Sequence, residues 1–259
     1  MKKELRELLV KANERLNDRH ILLRLTDDAA PLPPMLPGQF VQVRVDGEPS
    51  AFLRRPISIH NVLLPENELW LLVQEVGAGT RQLGRIQPGE RLNVLLPLGR
   101  GFSTSIAQGE NILLVGGGVG MAPLLYYGRW LKAHGANPTL LIGARRKEDL
   151  LQREQFAEVG PLFVTTEDGS EGQKGFVSQH TILQPGAFSR MAVCGPLPMM
   201  RAMAAVAKQL GMPCEVSLEN RMACGLGACL CCVEKTKRGN VCVCTEGPVF
   251  STEELDWNI

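Results

Sequence analysis

Over roughly the first hundred residues, short apolar runs alternate with turn residues, the pattern of short β-strands. ELLVKANERL (7–16) and HILLRLTD (20–27) flank Asn17-Asp18, which reads as a hairpin turn. QFVQVRV (39–45) alternates as a half-buried strand does. PISIHNVLL (56–64) and ELWLLVQEV (68–76) follow, separated by Pro65-Glu66-Asn67, and RLNVLLPLG (91–99) closes the run. Short strands with turn residues between them predict a small antiparallel barrel over 1–105, interrupted by one short helix near Thr80 to Arg85.

From 106 to 212 the rhythm becomes strand then helix, repeated. NILLVGG (111–117), PTLLIGA (138–144), LFVTTED (162–168) and MAVCG (191–195) read as buried-type strands. The spacing predicts helices over 119–133, 147–159, 176–183 and 198–210. Such alternation implies an α/β domain, a parallel sheet with helices on both faces. The remainder, 213–259, is too short for a core of its own and needs a metal or a neighbouring domain to hold it.

Composition narrows the classes. The chain has 259 residues, 44% hydrophobic and 21% charged, ordinary for a globular protein of about two domains. Twenty-eight basic against 27 acidic residues leave a formal charge of +1, so no nucleic-acid or acidic-membrane partner is expected. At 5% aromatic content a stacking platform for single strands is not expected either. The N-terminal MKKELRELLVKANERL lacks the apolar centre of a signal peptide, and the uncharged stretch 111–128 is too glycine-rich for a membrane span. The expected location is the cytoplasm.

The cysteines change the picture most. Six of the eight fall at or after Cys224, and in a reducing compartment clustered cysteines bind metal or do redox chemistry. CGLGACLCC places Cys224, Cys229 and Cys232 in C-x4-C-x2-C order, with VCVCTEGPVF downstream. Four thiolates in that order suit a [2Fe-2S] cluster of the plant ferredoxin type. The alternative is a structural zinc site, for which two C-x2-C knuckles would be the commoner spacing. Small residues at 225–228 let the backbone wrap a cluster and aim N–H groups at its sulfurs. Cys242 and Cys244 both qualify as fourth ligand, since two residues apart on a strand they point the same way. Cys231 would point away from Cys232 and reads as a small buried apolar residue.

Other motifs are individually weaker. Gly116, Gly117, Gly118 and Gly120 sit in GGGVGMAP between a strand and a helix, where backbone can approach a phosphate; a packing turn is the alternative. Arg54-Arg55-Pro56-Ile57-Ser58 offers a diphosphate clamp and a hydroxyl for a ring nitrogen. Gly77-Ala78-Gly79-Thr80 could cradle phosphate, or be an ordinary glycine turn. Cys194-Gly195-Pro196 ends the fourth α/β strand, the edge where such sheets bind ligands. The four histidines are scattered and suggest no metal site. Met199, Met200 and Met203 read as core.

Together these motifs, in this order, resemble the ferredoxin-reductase flavoprotein family. The tail ENRMACGLGACLCC with VCTEGPVF narrows the likeness to electron-transfer subunits of NAD-dependent heteromeric dihydroorotate dehydrogenases, over nearly the whole chain. The resemblance implies an FAD-binding barrel, an NAD-binding α/β domain and a small [2Fe-2S] module. It assigns FAD to Arg55, Pro56, Ile57 and Ser58, to Gly79 and Thr80, and to Leu72, Val73 and Gln74 on the strand before them. It puts the nicotinamide nucleotide at Gly116, Gly117, Gly118 and Gly120 beside Cys194, with Ser58 and Cys194 next to the reacting rings as catalytic residues. Since the fourth ligand precedes x-[DE]-G-P-V-F, it selects Cys244, completing Cys224, Cys229 and Cys232. Departures are Cys231 and a short loop between Cys232 and Cys244.

The partner so implied is an FMN-containing catalytic subunit, in a heterotetramer of two plus two serving pyrimidine (UMP) synthesis. The chain has no room for an FMN barrel of ~250 residues of its own. A related subunit passing electrons from NAD(P)H to ferredoxin or a sulfur compound, and a zinc-stapled nucleotide-binding regulatory module, are the other readings. Arg145 and Arg146 leave NAD against NADP open.

Overall fold

The computed structural model describes residues 2–257; residues 1, 258 and 259, at the ends of the first and third expected segments, lie outside the described residues. The first segment forms β1 (Glu4–Asn17), β2 (His20–Thr26), β3 (Phe40–Val43), β4 (Arg55–Ser58), β5 (Asn61–Leu63), β6 (Glu68–Gln74), α1 (Ala78–Leu83) and β7 (Arg91–Leu98). The strands make an antiparallel half-barrel in the order β4-β3-β7-β1-β2-β6-β5. The hairpin is set locally, as the Asn17 side-chain oxygen accepts the N–H groups of Arg19 (2.9 Å) and His20 (3.0 Å).

Two expectations need correction here. The run 56–64 is two strands, because at His60 the chain turns inward to bond the second domain. The strand around 39–45 is not half-buried: β3 is covered on both faces. Val41 and Val43 face the barrel core, while Phe40 packs into a second core shared with the C-terminal residues.

The second segment is built on β8 (Asn111–Gly117), α2 (Ala122–Ala133), β9 (Asn137–Ala144), α3 (Arg153–Val159), β10 (Leu162–Thr166), β11 (Gln173–Lys174), β12 (Arg190–Cys194) and α4 (Leu197–Gln209). β13 (Cys214–Ser217) extends the parallel sheet, in the order β11-β10-β9-β8-β12-β13. Alternate residues of β8 serve opposite faces: Ile112 and Leu114 pack with α2 and α3, Leu113 and Val115 with α4. That is the period-two consequence of burying a strand on both sides.

The helix expected over 147–159 is broken, since Gln152 takes a left-handed backbone (φ 48°) and only Arg153–Val159 is α-helical. The one expected over 176–183 is a single 3-10 turn at Val177–Gln179. There the Gln179 side chain accepts the Phe176 N–H (3.0 Å) and Gln173 bonds both Gln179 and Thr181, replacing helical bonds.

The last segment has no separate core. Its hairpin of β14 (Val233–Thr236) and β15 (Gly239–Cys242) leads through a one-turn helix, α5 (Val243–Glu246), to β16 (Val249–Ser251). β16 returns antiparallel to β13 and completes the parallel-sheet domain. Cys232, Val243, Cys244 and Phe250 share a buried cluster with Phe40 and Leu98 of the barrel and with α4. The cysteine loop is therefore clasped between the other two domains, whose burial stabilises what its own few apolar residues cannot.

Those two domains are themselves locked together. The fully buried His60 ring meets the Ala122 carbonyl through Nδ1 (2.7 Å) and the Gln152 side-chain amide through Nε2 (2.5 Å). The Tyr126 hydroxyl donates to the Met35 carbonyl (2.8 Å), and Phe102 stacks on Tyr127 at 4.6 Å. Among the described residues, no helix is long and apolar enough to cross a membrane.

Candidate functional site

Three pairs of motifs, distant in sequence, meet in space. The first is RPIS with GAGT. A Cβ on Gly79 would fall 2.6 Å from Arg55 Nε and 3.0 Å from its Cζ, so the guanidinium lies directly over that glycine. Pro56 and Ser58 register opposite Gln42 and Phe40 of β3, and paired residues share a sheet face. Pro56 and Ser58 thus look out on the side where the cysteine loop packs. The Ile57 side chain packs on the barrel core instead, leaving its backbone toward any ligand. The Thr80 hydroxyl accepts N–H groups of Val76 (2.9 Å) and Gly77 (3.1 Å), so it shapes the turn. On β6, Val73 points into the barrel, while Leu72 joins the core under α2 beside Met121, and Gln74 is half-buried.

The second meeting is between the glycine loop and CGP. β8 lies between β9 and β12, so the direction of sheet growth reverses at β8/β12, the crevice where open α/β sheets bind ligands. Gly116 pairs with Cys194. A Cβ on Gly120 would lie 2.5 Å from Gly195 Cα and 2.6 Å from the Cys194 carbonyl oxygen. The Met199 sulfur sits over Gly117, and its methyl over Gly195. Of the three methionines read as core, Met200 and Met203 are buried, but Met199 is half-buried and lines this crevice. Cys194 is 2% exposed, and burial, with the Glu219 carboxylate adding, pushes its thiol well above the ordinary range. It is a neutral thiol at physiological pH, suited to packing against a ring rather than to nucleophilic attack.

The third is the cysteine loop against the barrel. A Cβ on Gly225 would stand 2.9 Å from Gln42 Cγ and 3.2 Å from Leu98 Cδ1, and its φ of +69° suits glycine. Backbone N–H groups aim at sulfur: Leu226 to Cys224 (3.3 Å), Gly227 to Cys244 (3.2 Å) and Cys244 to Cys232 (3.4 Å). The Leu226 N–H pulls the Cys224 thiol down to about 6. Burial, with the adjoining Cys232, pushes Cys244 up to about 12.

Among the described residues, no three His, Cys, Asp or Glu side chains converge on one point as ligands of a single ion. The thiols meet as neighbours, Cys224 with Cys229 and Cys232 with both Cys244 and Cys242. Four thiols with N–H donors on the sulfurs of Cys224, Cys232 and Cys244 fit the donor set of a two-iron cluster, and Cys242 stands beside them without such a donor.

Two readings of this region are corrected. Cys231 is exposed, not buried: Leu230 takes a left-handed backbone (φ 57°), which turns Cys231 outward as Cys232 turns in. Cys242 and Cys244 do not share a strand, because β15 ends at Cys242 and Cys244 lies in α5, fully buried. The Cys242 thiol is directed at the Gly227 carbonyl (3.9 Å). Sequence reasoning missed Gln42, Met199 and His60; a polar residue within an alternating strand carries no sign that both faces will be covered.

The comparisons with known proteins agree with this geometry. Residues 219–256 match the iron-sulfur cluster binding domain of dihydroorotate dehydrogenase B, and residues 114–205 an oxidoreductase NAD-binding domain. The electron-transfer subunit of dihydroorotate dehydrogenase B (NAD(+)) from Shouchella clausii is 40% identical over 224 residues, covering 85% of this chain and 86% of that one. The Fusobacterium nucleatum counterpart is 36% identical with the same coverage. The chain belongs to the family of dihydroorotate dehydrogenase B electron-transfer subunits.

A solved structure of an NADH-dependent reduced ferredoxin-NADP oxidoreductase superposes with a TM-score of 0.86 at 29% identity, over 97% of this chain and 90% of that chain. The ferredoxin reductase of carbazole 1,9a-dioxygenase shares the fold, with a TM-score of 0.66. Members of this family are oxidoreductase subunits with an FAD/NAD-binding fold, an iron-sulfur binding domain and, as subunits, a catalytic partner.

Proposed function

We propose that this chain carries electrons to NAD+ from an FMN-containing subunit that oxidises dihydroorotate to orotate, with a [2Fe-2S] cluster and FAD as its resident groups. Bound here, the cluster would supply one-electron relay and FAD the exchange between one- and two-electron carriers. The observation that carries this reading is the packing of Gly225, next to Cys224, on the β3 strand that pairs with RPIS. Both cofactor sites thereby open on one face of one sheet.

Cys224, Cys229, Cys232 and Cys244 are the cluster ligands. A ligand thiolate only accepts hydrogen bonds, and Cys244 accepts one from Gly227, whereas Cys242 faces a carbonyl. Arg55, whose guanidinium lies over Gly79, would hold the FAD diphosphate at the Gly79-Thr80 turn. Pro56, Ser58, Gln74 and the backbone of Ile57, Leu72 and Val73 would line the flavin, the side chains of the last three being turned into the cores, and the Ser58 hydroxyl would be a donor for a ring nitrogen. Gly118, with open space where a side chain would stand, would let the nicotinamide nucleotide approach; Gly116, Gly117 and Gly120 would close the loop tightly against Met121, Met199 and the end of β12, and Cys194 would present an uncharged thiol beside its ring. The assembly is a cytoplasmic heterotetramer of two plus two, as the family likeness implies.

The test is the anaerobic visible spectrum, with iron, sulfide and flavin assayed, of the chain alone and co-expressed with the catalytic subunit. Flavin with about two irons per chain, NADH–acceptor activity alone, and dihydroorotate oxidation only in the complex are expected. Zinc without iron would overturn the cluster assignment. Reduction of ferredoxin in place of coupling to dihydroorotate would favour the function of the solved relative above.

A further inference from the structure

Five buried side-chain polar atoms lack a hydrogen-bond partner among the described residues, and two of them, Nε2 and Oε1, belong to Gln42. Gln42 is 0% exposed. The rest of its strand is conventional, with Val41 and Val43 in the barrel core and Phe40 in the core beneath the cysteine module. A leucine at position 42 would suit that second core and leave nothing unpaired. An amide with both ends unmatched costs more to bury than any apolar side chain of its size. Its surroundings show what would repay it. Its Nε2 lies 3.1 Å from where a Gly225 Cβ would stand, beside Cys224, and its register partner is Pro56 of RPIS. Gln42 thus stands where the cysteine loop closes on the flavin barrel, and its amide is the side-chain donor facing that loop.

We infer that Gln42 donates its amide N–H to a sulfur of the bound cluster. It is a positioning residue that seats the cysteine loop on the barrel and sets the cluster's affinity for its electron. This inference rests on the [2Fe-2S] reading above. The backbone already directs N–H groups of Leu226, Gly227 and Cys244 at the sulfurs, and Gln42 adds a donor from the flavin side. A hydrogen bond to cluster sulfur favours the reduced state, which carries one more negative charge, so each donor raises the potential. The carboxamide suits this place because it donates without bringing a charge beside the electron path.

The test uses the full chain in its complex: wild type, Gln42→Leu and Gln42→Glu. Iron and sulfide are assayed first, then the cluster is titrated with EPR detection. Pulsed EPR of wild type labelled with 15N in glutamine side chains looks for the amide nitrogen. In Gln42→Leu, with iron retained, the equilibrium constant for cluster reduction should fall about three- to tenfold, ~30–60 mV for one electron. The 15N coupling should be present in wild type and absent in Gln42→Leu, and Gln42→Glu should fall further by placing negative charge at the cluster. An unchanged potential in Gln42→Leu with full iron would overturn the inference, as would a shift confined to the flavin spectrum. If Gln42→Leu fails to fold or to hold iron, the wild-type label decides, and no glutamine nitrogen coupled to the cluster overturns it. Wild type without iron overturns the cluster reading itself, and the first assay separates that outcome from the others.

Discussion

Substituting Gly120 by alanine isolates the contact between the two loops assigned to the nicotinamide nucleotide. Gly120 does not sit in the left-handed region, so alanine is locally acceptable and the cost is purely steric. The new Cβ would lie 2.5 Å from Gly195 Cα, 2.6 Å from Gly195 N and 2.6 Å from the Cys194 oxygen. All three are backbone atoms at the end of β12, so no side chain can swing aside. Ordinary contact begins near 3.4 Å, and the loops must part by roughly 1 Å. β8 and β12 are hydrogen-bonded up to Gly116 and Cys194, so the displacement falls on the loops themselves.

Overpacking of this kind costs about 1–3 kcal/mol of stability. A reacting ring misplaced by ~1 Å loses about 100-fold in rate. We therefore expect Gly120→Ala to keep its flavin and iron, to unfold at slightly lower denaturant concentration, and to lose about two orders of magnitude in kcat/KM for NADH with an artificial acceptor. Wild-type kcat/KM would refute the placement of the nucleotide between these loops. Loss of flavin and iron in step with NADH turnover would show that the contact serves the fold as a whole.

Three further substitutions test two other links. Cys244→Ala should fall from about two irons per chain to near none while Cys242→Ala keeps its cluster; the reverse pattern would make Cys242 the fourth ligand. His60 is held neutral by burial, its pKa lowered to about 4 from an unfolded value near 6.5. Above pH 6.5 the ring is uncharged in both states; between 6.5 and 4 only the unfolded chain takes the proton, so stability falls with pH by up to about 3 kcal/mol. Denaturant titrations of wild type and His60→Gln should converge by about that much over this window, and curves that stay parallel would refute the assignment.

Local pattern determined the architecture. Short apolar runs bounded by turn residues mark β1, β2, β6 and β7, and the strand–helix alternation that follows admits few arrangements besides a parallel sheet covered on both faces. The glycine, RPIS and cysteine motifs were legible because their chemistry needs fixed spacing, and spacing is written in the chain. The sequence alone could not determine what covers each face. Gln42 reads as the polar side of a half-buried strand until the cysteine loop lies on it, and His60 as an unremarkable strand residue until α2 and Gln152 enclose it. Cys231 and Cys232 are neighbours in a motif, yet one left-handed residue between Cys229 and Cys231 sends them to opposite environments. Periodicity reports one element's two sides, whereas burial depends on contacts between residues sixty or more positions apart, and only the folded chain brings those together.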